Sequence, residues 1–178
     1  MVKPWMHKLE YELIVESLDK TKQMLEWGSG TSTAYFSQYV QHIDSIEHDL
    51  EWINTTKKYL RDNNVVNATL HEVPWDSPRP ARSLTEYYMF DSYINYVDKL
   101  NKKYDVVLID GRARFWCAEK ILPYLADHAV VFIHDYWAYR DHMMHPSEIE
   151  KYKQIFNWYT ELASVKHTEQ TIIKLKKK

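Results

Sequence analysis

Glycine is scarce in this chain: 178 residues contain three, where average usage of roughly 7% would give about a dozen. So sparing a chain places glycine where backbone geometry demands it. Cysteine is scarcer still. Cys117 stands alone, which excludes an internal disulfide framework and fits a reducing compartment; its apolar neighbours mark it as core. Long apolar runs are missing too. None approaches the roughly 18 residues of a membrane span, and the amino terminus lacks a signal-peptide core. A soluble, cytoplasmic chain with no membrane partner is expected, so the triplets at Asn54 and Asn67 are discounted as glycosylation sites. Excess charge of either sign is absent: 23 basic and 25 acidic residues leave a net charge of −2. That gives no bulk pull toward polyanions, and no nucleic-acid partner is expected. Lys174 and Lys176–Lys178 read as a solvated end. Aromatics are plentiful, with seven Trp and fourteen Tyr.

Periodicity gives an alternating order. An amphipathic helix over 5–19 carries Trp5, Leu9, Leu13 and Ser17 on one stripe, widened by Met6, Ile14, Val15 and Leu18. A strand at Lys22–Glu26 precedes a helix from Thr31 to about Tyr39. The strand His42–Glu47 precedes a helix opened by His48 or Asp49, with Leu50, Ile53, Tyr59 and Leu60 as its stripe. A third strand lies within Val65–Val73. The proline-rich loop Pro74–Ala81 carries Trp75, and Ser83-Leu84-Thr85-Glu86 has the form of a capping box opening a helix to about Leu100. Then come the strand Asp105–Asp110, a helix over 114–126 bent at Pro123, and the strand Ala129–Ile133. Pro146 opens a further helix, and two strands follow near Tyr159–Val165 and Thr171–Leu175. Such alternation means an α/β fold: a doubly wound, Rossmann-like, mostly parallel sheet with an antiparallel carboxy-terminal hairpin. One domain is expected over 1–178, an amino-terminal helix in 1–20 and the core in 21–178.

In sheets of this kind ligands sit off the carboxyl ends of the strands. Glu26, Glu47, Asp110, His134 and Asp135 all fall there. After the first strand, Gly28-Ser29-Gly30 turns the chain into Thr31-Ser32-Thr33, and the third glycine, Gly111, follows the fourth strand. These read as two walls of one site. Gly28 and Gly30 allow close backbone approach, and the hydroxyls and free N–H groups of the helix start suit an anionic group. Glu47, nineteen residues after Gly28, suits a ribose diol; the bland alternative is an exposed strand-end acid. A dinucleotide fingerprint needs a glycine where Thr33 stands, and Glu26 would repel a pyrophosphate. An acid suits a ligand with an ammonium group. S-adenosylmethionine (SAM) has that ammonium, a carboxylate for the Thr31–Thr33 helix start and a ribose for Glu47.

Leu25-Glu26-Trp27-Gly28-Ser29-Gly30-Thr31-Ser32-Thr33 resembles the first motif of class I SAM-dependent methyltransferases. It is most similar to small members whose motif runs E-x-G-S-G-x-S-T. Ser45–Asp49, Asp105–Arg112 and Val131–Tyr136 are similar to the second-, fourth- and fifth-strand motifs, so four motifs fall in register over roughly 20–140. The resemblance implies a seven-stranded sheet with an antiparallel last strand, and Asp110 near the methionine part of the cofactor. Ser32 departs from it, standing where many members have a third glycine.

A hydroxyl acceptor must lose a proton to a base or a metal. His134 or Asp135 is the candidate base, His134 preferred because its intrinsic pKa lies near neutrality; a mutual cap at the next loop is the alternative. In related O-methyltransferases, acids at these strand ends hold a divalent metal. Only Asp110 and Asp135 match, so a metal is not favoured. Asp141, His142 and His145 are metal ligands or loop residues, and Arg112 and Arg114 are an anion grip or surface charges. Trp75, Tyr136, Trp137 and Tyr139 present flat rings toward adenine or a sugar. The expected activity is therefore SAM-dependent O-methylation of a sugar or glycan hydroxyl. O- or N-methylation of a non-sugar metabolite, or a non-catalytic SAM-binding module, are the alternatives. A homodimer is admitted as a way to complete an open site.

Overall fold

The computed structural model describes residues 3–74, 76, 87–136, 150, 152–166 and 171–178. Trp75, the 83–86 capping box, Trp137, Tyr139, Asp141, His142, His145 and the helix expected from Pro146 lie outside these residues.

Seven strands form one sheet: β1 (Gln23–Trp27), β2 (His42–Glu47), β3 (Ala68–Glu72), β4 (Tyr104–Ile109), β5 (Leu125–His134), β6 (Tyr159–Lys166) and β7 (Thr171–Lys177). Their spatial order is β3-β2-β1-β4-β5-β7-β6. Neighbours from β3 to β5 run parallel, whereas β7 is antiparallel to both β5 and β6. The expected hairpin is present, with β7 as its inner strand. The switch point lies between β1 and β4, beside which a ligand cleft is expected.

Alternation along the central strands divides the core between the two faces of the sheet. Val107 and Ile109 of β4 pack with Leu25, Trp27, Val131 and Ile133 on one side. Val106 and Leu108 face the other way, with Met24, Ile43 and Phe132. Helices α1 (Lys8–Val15), α2 (Thr31–Phe36), α3 (Leu50–Asp62), α4 (Asp91–Asn95), α5 (Val97–Leu100), α6 (Arg114–Lys120) and α7 (Ile155–Trp158) accompany them. Cys117 is buried in the core.

Two expectations are corrected. α1 is shorter than 5–19, and its buried face is Glu10, Tyr11 and Ile14, while Trp5 and Leu9 are exposed. A capping box sets its start: the His7 amide donates to Glu10 Oε2 at 2.9 Å, and the Leu9 amide donates to His7 Nδ1. The helix expected over 114–126 ends at Lys120. A 3₁₀ turn at Leu122–Tyr124 carries Pro123, and β5 starts at Leu125. Proline removes the N–H that would continue the helix, so the chain leaves it extended.

Candidate active site

A cleft of about 950 Å³ opens at the carboxyl ends of β1, β2, β4 and β5. The glycine turn forms one wall. Gly28 adopts φ +94°, and a Cβ there would stand 2.6 Å from the Gly111 amide nitrogen. The loops after β1 and β4 therefore approach backbone to backbone. Gly30 differs. Its φ of 171° is open to any residue, and a Cβ there would meet nothing nearer than Ser32 Oγ at 3.9 Å and the Trp52 ring at 4.0 Å. Its missing side chain leaves free space over the turn.

Glu26 is placed behind this turn, fully buried, and not in the cleft. The Ser32 hydroxyl donates to its Oε1 at 2.5 Å; the Thr33 and Ser45 hydroxyls donate to Oε2 at 2.5 and 2.8 Å. Burial raises its pKa to about 7 against the opposing pull of these three hydrogen bonds. The acid expected to meet an ammonium group instead ties the turn to β2. Ser32 and Thr33 are corrected with it, because their O–H groups point at Glu26 and are not open to an anion. The Ser29 hydroxyl is likewise engaged, with Thr56 at 2.8 Å. Gly28, Ser29, Gly30, Thr31 and Ser32 all line the cleft.

Glu47 also lines it. Its Oε1 accepts from the amides of His48 and Asp49 and faces His48 Nδ1, each at 2.8 Å; among the described residues its Oε2 accepts only from the Ser29 amide, at 2.6 Å. A carboxylate oxygen has two lone pairs, so Oε2 keeps one for a ligand hydroxyl. The exposed-acid alternative does not hold, since Glu47 is buried.

Asp110, His134 and Asp135 converge on the opposite wall. His134 Nδ1 lies 2.7 Å from Asp110 Oδ1 and its Nε2 lies 3.2 Å from Glu10 Oε2. The ring lies between two carboxyl groups, and where both are ionised each nitrogen donates and the ring is an imidazolium. Burial opposes that charge, but the Asp110 carboxylate and the hydrogen bonds to Asp110 and Glu10 more than offset it, raising the pKa to about 10. A protonated His134 has no lone pair to offer at neutral pH, which turns the choice of base from His134 toward Asp135. Asp135 keeps a carboxylate at the cleft, with φ +49°. Arg114 holds it: Nη1 donates to the Asp135 carbonyl at 3.1 Å, Nη2 lies 3.5 Å from Oδ2, and Nε donates to the Gly111 carbonyl at 3.0 Å. Arg114 thus joins the loops after β4 and β5; Arg112 is exposed and lines the cleft.

These residues do not suit a divalent metal. His134 engages Asp110 and Arg114 engages Asp135, and among the described residues no three His, Cys, Asp or Glu side chains converge to hold an ion. Tyr136, expected to present its ring, is buried. The aromatic rim that is described comes from Trp5 and Trp52, which line the cleft with ring centroids 5.7 Å apart. Sequence reasoning missed this pair and Glu10, having assigned Trp5 to a buried stripe. The H-x-x-E spacing of the α1 cap was the available signal for Glu10.

No family model matches the chain, and no curated protein sequence matches it. Solved structures do. An rRNA methylase from Streptococcus thermophilus superposes with a TM-score of 0.67 at 15% identity, covering 99% of this chain and 98% of its own. A Streptococcus mutans protein assigned as a methyltransferase, in complex with S-adenosylhomocysteine (SAH), gives 0.67 at 14%, covering 97% and 99%. Precorrin-6y C5,15-methyltransferase from Geobacter metallireducens gives 0.66 at 17%, covering 99% and 91%. The chain has the Rossmann-like fold of SAM-dependent methyltransferases. Excluding nucleic acid as a partner on net charge does not stand, because an rRNA methylase shares this fold over nearly its whole length. Bulk charge does not report local charge: Lys3, Arg112 and Arg114 line the cleft beside Glu47, Asp49, Glu51, Asp110 and Asp135.

Among the described residues no helix is long and apolar enough to cross a membrane.

Proposed function

We propose that the chain is a SAM-dependent methyltransferase whose acceptor is a hydroxyl on a sugar or other polyhydroxylated molecule. The observation that carries this reading is the free space over Gly30, in a cleft that Glu47 and Asp110 also line at the switch point of a methyltransferase-like sheet. SAM supplies an electrophilic methyl group on a sulfonium. Glu47 would hold the ribose through Oε2, and Asp110 would hold the ammonium through Oδ2, which carries no hydrogen bond among the described residues. Asp135 would take the acceptor proton, in preference to a His134 that already holds its protons. Gly30, which has no side chain, leaves room over the turn for the cofactor. Trp5 and Trp52 give the acceptor a flat surface. That surface suits a nucleobase as well as a sugar, and with Lys3 and Arg112 beside it an RNA acceptor is the second reading.

Calorimetric titration with SAH, and with NAD as a control, tests the cofactor. Micromolar SAH binding is expected in the wild type, with loss in Gly30→Val, which fills the space. Val is a poorer N-cap than Gly, at a cost of about 1 kcal/mol or less. NAD binding without SAH binding would overturn the reading. Transfer of labelled methyl to oligosaccharides, free nucleotides or RNA then separates the acceptors.

A further inference from the structure

The amino-terminal helix meets a cleft-lining residue, His134, through Glu10. Glu10 of α1 is fully buried, 124 residues away in sequence from the histidine it meets. Its Oε2 accepts from the His7 amide and faces His134 Nε2, while Oε1 is buried with no hydrogen-bond partner among the described residues. A buried carboxylate with one bare oxygen is costly, and α1 could dock through Tyr11 and Ile14 without it. What Glu10 does is hold the second nitrogen of a ring whose first nitrogen holds Asp110. An imidazole bound at one nitrogen pivots about that bond; bound at both, it is fixed in plane. The Asp110–His134–Glu10 chain thus spans the carboxyl end of β4, the last residue of β5 and the first turn of α1.

We propose that Glu10 is a positioning residue of the cleft: from α1 it fixes the His134 ring, and through that ring the orientation of the Asp110 carboxylate. Asp110 then presents Oδ2 to the ligand while Oδ1 stays on the ring. The proposal rests on the methyltransferase reading for its ligand but not for its geometry. Glu10 touches no substrate; it acts through two side chains.

Two readouts test it. The first is SAH affinity. Glu10→Ala, and Glu10→Leu, which keeps the volume should the alanine variant fail to fold, are expected to weaken binding about tenfold, as for loss of a charged hydrogen bond. Glu10→Gln keeps an acceptor and is expected to restore most of it. Combining Glu10→Ala with Asp110→Asn is expected to weaken binding no further than Asp110→Asn alone. Ile14→Ala, a core truncation in the same helix, is expected to lower stability without changing affinity. The second readout needs no ligand: the His134 Nδ1–H proton resonance, shielded from exchange in the wild type, Glu10→Gln and Ile14→Ala, is expected to broaden away in Glu10→Ala and Glu10→Leu. If that proton persists in both, or if they match Ile14→Ala in affinity, Glu10 merely anchors the helix and the proposal is overturned. If the wild type binds no SAH, the function reading falls and the ring proton alone decides the role of Glu10.

Discussion

Gly28 and Gly111 lie back to back, so a Cβ on Gly28 would sit 2.6 Å from the Gly111 nitrogen and 2.7 Å from its Cα. Both obstacles are backbone, which a rotamer change cannot clear. Gly28→Ala combines that clash with a positive φ, and a loss of about 2–4 kcal/mol is expected from these two mechanisms. Urea denaturation reads it. A midpoint within experimental error of the wild type would mean that the two loops separate freely, and the two-wall description would be wrong.

His134 makes a distinct pH prediction. Its folded pKa is raised from 6.5 to about 10, so folding favours the protonated form. The stabilisation is fully present below about pH 6.5 and declines as pH rises toward 10, with a slope of at most about 1.4 kcal/mol per pH unit. The stability difference between wild type and His134→Gln should shrink over that window. A difference that grows between pH 7 and 10 would contradict the two-carboxylate clamp.

Glu26 behaves unlike an ordinary surface carboxylate. Burial raises its pKa from 4.5 to about 7, so the protonated form is favoured by folding. Its contribution is fully present below pH 4.5, falls as pH rises, and is level above about pH 7. Relative to Glu26→Gln, the wild type should therefore lose stability between pH 4.5 and 7. Parallel stability curves for the two proteins would show that the carboxylate ionises normally.

Asp135 and His134 should separate kinetically. Asp135→Asn is expected to lower turnover by about 100-fold or more, the scale of a lost general base, with SAH affinity within twofold. His134→Gln is expected to weaken SAH binding instead, by unfastening Asp110. Full turnover in Asp135→Asn, measured by labelled methyl transfer, would remove Asp135 as the base.

The sheet was legible because its central strands carry their own pattern. β2 runs His42–Glu47, ending at the carboxylate that closes it in the sequence reading. Glu47 and Asp110 were legible as cleft residues because strand ends face the ligand in this fold. Glu26 ends its strand in the same way, yet its burial depends on Ser45, which β1–β2 pairing places directly opposite. Nothing local in the sequence reports that register. Glu10 was hidden for the same reason on a larger scale: a charged residue on an amphipathic helix reads as solvent-facing until its partner on β5 is brought to it. Trp5 erred the other way, since an aromatic at helical spacing reads as core when it lies before the helix begins.

One feature of the sheet bears on how the chain is made. Strand β7 follows β6 in sequence but lies inside it, hydrogen-bonded to Val130–His134 of β5. A nascent chain emerging amino end first therefore exposes the outer edge of β5 until the residues of β7 arrive. That edge is Val130-Val131-Phe132-Ile133, an apolar segment of high strand propensity and open to pairing with other chains. Ribosomal stalling or proteolysis before Thr171 would leave it bare, making shortened products of this chain prone to aggregate.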